Sequence, residues 1–178
     1  ALLRHTRQSL QAQANQKEVE IQISAPAQQS ITADEAWLKR ALENLLSNAV
    51  IFSPRQGTIR LTAQCTGKEV TFQVCDQGPG IAPAVAPRLF ERFVTTRHGE
   101  GGSGLGLAIV RAVAEAHGGT AAVVPSQTGA VFTIILPRLL QRGCPPRHAG
   151  ESRLRRRPRR CHALPRHPPT TATLKVLA

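Results

Sequence analysis

Hydrophobic and polar residues alternate along the chain with two different periods. Apolar residues at helical spacing predict a helix over 34–52, capped by Asp34, and another over 104–117, which two glycines end. Strands are predicted where apolar and polar residues alternate, over 19–23, 30–32, 58–65, 69–75, 120–124 and 130–136. The third and fourth of these strands are separated by a Thr-Gly-Lys turn, which predicts a hairpin.

The remaining segments have no long apolar period. Residues 1–16 are polar but compatible with a helix, which we interpret as the end of a preceding helix or a linker. Residues 88–93 predict a short amphipathic helix, and residues 94–101 have the polar composition of a mobile lid. The domain itself is expected to occupy residues 17–140.

Positive charge is concentrated after residue 137. Residues 1–137 carry 12 Lys and Arg against 10 Asp and Glu, whereas residues 138–178 carry 11 against 1. Residues 141–178 are also proline-rich and lack apolar periodicity, which predicts a basic, disordered tail. A patch for nucleic acid or an anionic membrane is the alternative, but the tail has no aromatic residues to stack on bases, so an unstructured appendage is favoured.

The cysteines and the hydropathy of the chain indicate the cellular compartment in which the protein is expected. Cys65 and Cys75 fall in predicted strands, and the chain has no C-x-x-C pair, so reduced thiols in a cytoplasmic protein are expected. No apolar run is long enough to cross a bilayer, and no signal peptide is visible. Any contact with a membrane would therefore depend on segments upstream of this sequence.

The stretch 99–110 is rich in glycine and leads into the second helix. Gly102, Gly104 and Gly106 let backbone N–H groups approach a ligand, and a helix start adds unpaired N–H donors, so the stretch can seat phosphate. Its spacing excludes a P-loop and does not fit the G-x-G-x-x-G register. A flexible linker has a similar composition, so this stretch does not identify a site on its own.

Two asparagines lie one turn apart on the first helix. Asn44 and Asn48 stack beside its apolar stripe. A solvated polar edge would explain them, and so would amide oxygens that reach a hydrated Mg²⁺ and its phosphates.

A carboxylate follows directly after the second hairpin strand. Asp76 is succeeded by Gly78 and Gly80, which allow a ligand to approach closely. This carboxylate can accept a hydrogen bond from an amino group but not from a carbonyl, so it would select adenine over guanine. An ordinary Asp-Gly-Pro-Gly turn is the alternative.

Taken in chain order, these segments resemble a known family. The segments 42–49 (LENLLSNA), 76–81 (DQGPGI), 89–93 (LFERF) and 102–110 (GSGLGLAIV) resemble the N, G1, F and G2 boxes of the catalytic ATP-binding domain of bacterial sensor histidine kinases, in the superfamily with gyrase, Hsp90 and MutL ATPases. Four motifs in this order are far more specific than any one alone. The resemblance implies an α+β fold, a two-layer α/β sandwich of the Bergerat type, with about three helices on a mixed, mainly antiparallel sheet.

The resemblance also implies individual roles. Asn48 would hold Mg²⁺ beside Asn44, and Asp76 would bind the adenine amino group. Further ATP contacts are implied for Phe52, Gly78, Gly80, Ile81, Gly102, Ser103, Gly104, Leu105, Gly106, Leu107 and Thr133. Arg92 and Arg97 are candidates for γ-phosphate contacts from the predicted helix and lid.

The resemblance implies phosphoryl transfer from Mg-ATP to a histidine on a dimerisation domain of the same kinase, and from there to an aspartate of a response regulator. It also implies that the full-length protein is a homodimer. The sequence departs from the family at Ile51 and Val94, where a basic and an aromatic residue are frequent, and has no His-Glu-Leu-Arg-Thr-Pro-like phosphoacceptor segment. Two alternatives stay open. One is a superfamily ATPase that hydrolyses instead of transferring, with Glu43 as its candidate carboxylate, and the other is an inactive nucleotide-binding regulatory fragment.

Overall fold

The computed structural model describes residues 2–25, 29–94, 103–124, 129–138 and 172–176, with the backbone alone at 29–30 and 172–176. The helices are α1 (Leu2–Gln16), α2 (Glu35–Phe52) and α3 (Gly106–Ala116). The strands are β1 (Glu20–Ser24), β2 (Gln29–Ala33), β3 (Thr58–Thr66), β4 (Glu69–Cys75), β5 (Thr120–Val124), β6 (Val131–Pro137) and β7 (Ala172–Val176).

Five strands form one mixed sheet in the order β1-β3-β4-β6-β5. β1 runs parallel to β3, and every other neighbouring pair in this sheet is antiparallel. Alternate residues of the central strands, such as Leu61, Val74 and Ile134, are buried and join the buried residues of the helices in one hydrophobic core. The predicted α+β sandwich, with helices on a mixed sheet, is therefore confirmed.

Local chemistry explains the bounds of α2 and α3. The Asp34 carboxylate caps α2 by accepting a hydrogen bond from the backbone N–H of Trp37 at 3.2 Å. Beyond α3, Gly118 has a φ of 71°, and Gly119 donates to the Ala114 carbonyl at 2.8 Å, which closes the helix. A Cβ at Gly119 would lie 2.0 Å from the Ile135 carbonyl oxygen, so only glycine fits where α3 meets β6.

α1 packs onto the domain despite its polar composition. It contacts α2 and β1. Leu2, Leu3 and Ala14 are fully buried. None of the helices in the described ranges is both long and apolar enough to cross a membrane.

The prediction of an amphipathic helix over 88–93 is wrong. The structure has a three-residue 3-10 helix at Ala86–Arg88, followed by turns. Phe93 adopts a φ of 64°, which a right-handed helix excludes, and its N–H donates to the Gly104 carbonyl at 2.9 Å. This contact with a residue eleven positions away, rather than local periodicity, determines the backbone here.

The prediction of a disordered tail over 141–178 is wrong for Ala172–Val176. This segment forms β7, which pairs antiparallel with β2 in a separate two-stranded sheet. It follows the last proline of the chain, so each of its residues has the N–H that a strand needs. Residues 141–171 and 177–178 lie outside the described residues, as does most of the predicted lid at 94–101.

Candidate functional site

A cavity of about 610 Å³ opens between α2, the end of β4, the segment after β4 and the start of α3. This volume is in the range of small-molecule sites. Most of its described lining is apolar, and its polar side chains are those of Arg40, Asn44, Asn48, Asp76 and Ser103.

One wall of the cavity is a face of α2. Arg40, Asn44 and Asn48 follow one another at intervals of four residues, and Phe52 continues the row. The Asn44 amide donates to the Arg40 carbonyl at 3.0 Å, and a Cβ at Gly106 would lie only 3.3 Å from Asn44 Oδ1. Asn44 thus lies against the start of α3.

Asn48 is a polar side chain of this wall that is available to a ligand. It is half-buried in the cavity lining. Within the described ranges its amide has no hydrogen-bond partner in the protein, unlike the Asn44 amide. Its oxygen can therefore face a cation or a bound water without giving up a contact inside the domain.

Asp76 stands at the end of β4, where two backbone donors hold one of its oxygens. Its Oδ1 accepts hydrogen bonds from the N–H groups of Gly78 at 2.9 Å and Ala130 at 3.0 Å. Burial raises the pKa of Asp76, and these two hydrogen bonds oppose the rise by stabilising the ionised form. No donor among the described residues contacts Oδ2, which remains able to accept a hydrogen bond from a ligand.

Glycines bring the loop after Asp76 against its neighbours. A Cβ at Gly78 would lie 2.8 Å from the Phe52 carbonyl oxygen, so a side chain there would separate this loop from α2. The Gly78 carbonyl accepts a hydrogen bond from Gly129 at 2.7 Å. Gly80 lines the cavity and has a φ of 80°, which favours glycine.

The start of α3 forms the opposite wall. Gly104 has a φ of 64°, and a Cβ there would lie 2.7 Å from the Phe93 backbone. Leu105, at the N-cap, supplies no side-chain hydrogen bond to the helix. The first turn of α3 thus keeps unpaired N–H groups beside the cavity, which is favourable for an anion.

The structure brings most of the predicted site residues to this cavity. They are Asn44, Asn48, Phe52, Asp76, Gly80, Ile81, Ser103, Gly104, Leu105, Gly106 and Leu107. Gly78 does not line the cavity, but its N–H donates a hydrogen bond to Asp76 Oδ1. Gly102 and Arg97 lie outside the described residues.

Two predicted contacts are not placed at the cavity. Thr133 lies on the opposite face of the sheet, paired with Gln73 and Ala122, because the buried residues of β6 are its neighbours Phe132 and Ile134. The assignment of Thr133 is therefore corrected, and Ala130 contacts Asp76 at this edge. Arg92 is exposed and is not among the lining residues.

The sequence did not identify every lining residue, and Arg40, Phe132 and Ala130 are among those it missed. Arg40 continues the row of Asn44 and Asn48 by one turn, and this spacing could have identified it. Phe132 follows from the alternation of β6. The Ala130 contact is made by a backbone N–H, which no side-chain pattern indicates.

Glu43, the candidate carboxylate of a hydrolysing enzyme, does not line the cavity. It pairs with Lys39 at 3.6 Å, and neither residue is among the lining residues. The described geometry therefore gives no support to water activation by Glu43.

Comparison with known proteins agrees with this geometry. Residues 33–140 match the family described as histidine kinase-, DNA gyrase B-, and HSP90-like ATPase. The chain is 39% identical over 133 residues to the sensor-like histidine kinase SenX3 of Mycobacterium tuberculosis, across 72% of this chain and 32% of SenX3.

Solved structures give the same result. Full-length ShkA in complex with AMPPNP aligns with a TM-score of 0.70 at 38% identity, over 77% of this chain and 29% of ShkA. The catalytic domain of histidine kinase ThkA in a nucleotide-free form aligns with a TM-score of 0.70 at 26% identity, over 77% of this chain and 92% of that domain.

The match to SenX3 covers only about a third of that protein. The family match, over residues 33–140, falls on the part of the chain that builds the cavity. The four sequence motifs, the sandwich fold and the residues around the cavity all fit the matched family. The chain therefore belongs to the histidine kinase-, DNA gyrase B- and HSP90-like ATPases, as a catalytic ATP-binding domain of the sensor histidine kinase type.

Proposed function

We propose that this domain binds Mg-ATP in the α2–α3 cavity and donates the γ-phosphate to a histidine of a dimerisation domain, for relay to a response-regulator aspartate. In that transfer the bond between the β,γ-bridging oxygen and the γ-phosphorus breaks, a nitrogen–phosphorus bond forms, and ADP leaves. The observation that carries the proposal is the juxtaposition of Asp76 with Asn48 and the start of α3 around one cavity.

The two ends of the cavity suit the two ends of ATP. Asp76 Oδ2 accepts a hydrogen bond from the adenine amino group, with Phe52 and Ile81 beside the base. The unpaired N–H groups of α3 and the glycines before it receive the phosphates. In this arrangement the domain acts chiefly by positioning and by neutralising charge, as is usual for phosphoryl transfer.

The donor set also fits Mg²⁺. Asn48 offers a neutral amide oxygen with no protein partner among the described residues, and Mg²⁺ prefers oxygen ligands and retains several waters. Bound there, Mg²⁺ would supply charge neutralisation on the phosphates, while Asn48 orients it.

The adenine assignment is tested with the variant Asp76→Asn by isothermal titration with ATP and Mg²⁺. The amide of this variant keeps an oxygen for Gly78 and Ala130 but presents an NH₂ group, a donor, to the adenine amino group. Loss of a hydrogen bond to a charged acceptor costs about 1.5–3 kcal/mol, so we expect affinity to fall roughly ten- to a hundredfold.

Guanine nucleotides provide the control for this titration. The wild-type domain should bind ATP far more tightly than GTP, because a carboxylate cannot pair with a carbonyl. Equal binding of ATP by wild type and Asp76→Asn would show that Asp76 does not read the base.

A further inference from the structure

A nucleoside triphosphate brings several negative charges into a cavity that has few charges of its own. Among the described lining residues, Arg40 and Asp76 are the ionisable ones, and Asp76 is itself an acid. Ile51 lines the cavity but carries no charge, and Arg92 is exposed outside the lining. Among the described residues, Arg40 is therefore the cation that lines the cavity.

Arg40 lies at the end of the cavity opposite Asp76. The rise of an α-helix is about 1.5 Å per residue, so Arg40 and Phe52 are separated by about 18 Å along α2. Phe52 is at the base end, since its carbonyl lies against Gly78, which donates to Asp76. A nucleotide with its base at Asp76 therefore extends its phosphates past Asn48 toward Arg40.

The start of α3 meets α2 at this same end. Gly106 lies against Asn44 Oδ1, and Asn44 donates to the Arg40 carbonyl one turn earlier. The unpaired N–H groups of α3 and the Arg40 side chain thus flank one region of the cavity. The Arg40 side chain is exposed, and within the described ranges its guanidinium has neither an ion pair nor a hydrogen bond.

Resting on the function proposed above, we propose that Arg40 binds the terminal phosphates of ATP from α2. A guanidinium presents a planar fork of donors that matches two phosphate oxygens, and it stays charged throughout the physiological range. Arg40 contacts the phosphates, whereas Asp76 contacts the base. It is a binding and positioning residue that holds the γ-phosphorus in line for transfer.

The test compares ATP with adenosine on three variants by isothermal titration. For Arg40→Gln we expect ATP affinity to fall about tenfold, in line with loss of a charged hydrogen bond, and adenosine affinity to stay unchanged. Arg40→Lys keeps the charge without the fork and should lie between wild type and Arg40→Gln. The matched control is Lys39→Gln, which removes the neighbouring charge outside the cavity lining and should bind ATP like wild type.

The dependence of ATP affinity on salt concentration is a second measurement, which would not change if Arg40 had only a structural role. The ATP affinity of wild type should fall more steeply with ionic strength than that of Arg40→Gln, because one charge pair fewer is screened in the variant. Arg40→Gln binding ATP within twofold of wild type would overturn the proposal, and so would an equal loss of ATP and adenosine.

If the proposed nucleotide binding itself were wrong, the titrations would give a different result from a failure of the Arg40 proposal. Wild type would then bind neither ATP nor adenosine, and the Arg40 proposal would fall with it. Wild-type binding of both ligands, with a loss confined to ATP in Arg40→Gln, supports the Arg40 proposal and the nucleotide binding on which it rests.

Discussion

Asp76 is a carboxylate that the fold partly buries and holds through two backbone N–H groups. Its burial is a cost to the folded state, because the ionised form loses hydration. A neutral side chain with an oxygen in the same position could accept the same two hydrogen bonds without the cost of burying a charge. We infer that Asp76 contributes its charge to binding and not to folding.

The raised pKa of Asp76 makes this inference testable through stability. The folded protein holds this proton to higher pH than the unfolded chain, so stability falls as pH rises from the ordinary aspartate range to the raised pKa and then levels off. Asp76→Asn removes that penalty, and its oxygen can still accept from Gly78 and Ala130.

We therefore expect Asp76→Asn to be more stable than wild type at neutral pH, in urea unfolding, with the difference disappearing below the ordinary aspartate pKa. The same variant should bind ATP more weakly. A variant that is less stable than wild type at neutral pH would indicate that the carboxylate serves the fold.

The site residues that the sequence identified are those whose side-chain chemistry is unusual at their position. Asn44 and Asn48 interrupt a helix that is otherwise patterned for burial, and Asp76 follows a buried strand. Thr133 was assigned to the site wrongly because its position within β6 does not by itself tell which face of the sheet its side chain is on. The register of β6 with β4 determines that face. The Ala130 donor is backbone and has no signature of its own.

α2 and α3 form the two walls of the cavity, and His117 joins them at the end of α3. Its Nδ1 donates to the Val113 carbonyl at 2.7 Å, and its Nε2 accepts from the Asp34 backbone N–H at 3.0 Å. Because Nε2 is an acceptor, the neutral ring carries its proton on Nδ1. One side chain therefore links the end of α3 to the cap of α2.

Removing this link should destabilise the domain. For His117→Ala we expect the free energy of unfolding to fall by about 1–3 kcal/mol, because the half-buried N–H of Asp34 loses its acceptor. Urea unfolding gives the value. His5→Ala is the matched control, since His5 is exposed on α1. Equal stability of the two variants would exclude a role for His117 in holding the helices together.

Elements with strong periodicity were predictable, and those defined by distant contacts were not. α2, α3 and the hairpin of β3 and β4 follow from apolar spacing and their caps. The backbone near Phe93 depends instead on its hydrogen bond to Gly104. β7 depends on an edge of β2 about 140 residues earlier in the chain, which no local pattern can indicate.

At the scale of the whole molecule, one core joins the helices to the sheet, and the cavity lies where α2 and α3 meet the end of β4. Periodicity alone gave helices and strands without their arrangement. The order of four motifs predicted the sandwich, because that order is characteristic of the family. The parallel pairing of β1 with β3 is a property of the assembled sheet that the sequence pattern did not indicate.

The prediction for the whole domain is that it passes the γ-phosphate of ATP to histidine. It is tested by mixing the chain with Mg²⁺, ATP labelled on the γ-phosphate and a separately supplied histidine-kinase dimerisation domain that carries its phosphoacceptor. The same acceptor with that histidine replaced by alanine is the control. We predict an acid-labile label on the intact acceptor, none on the control, and a much slower reaction with Asp76→Asn. Steady release of labelled phosphate with no label on the acceptor would contradict this prediction and would favour a hydrolysing ATPase.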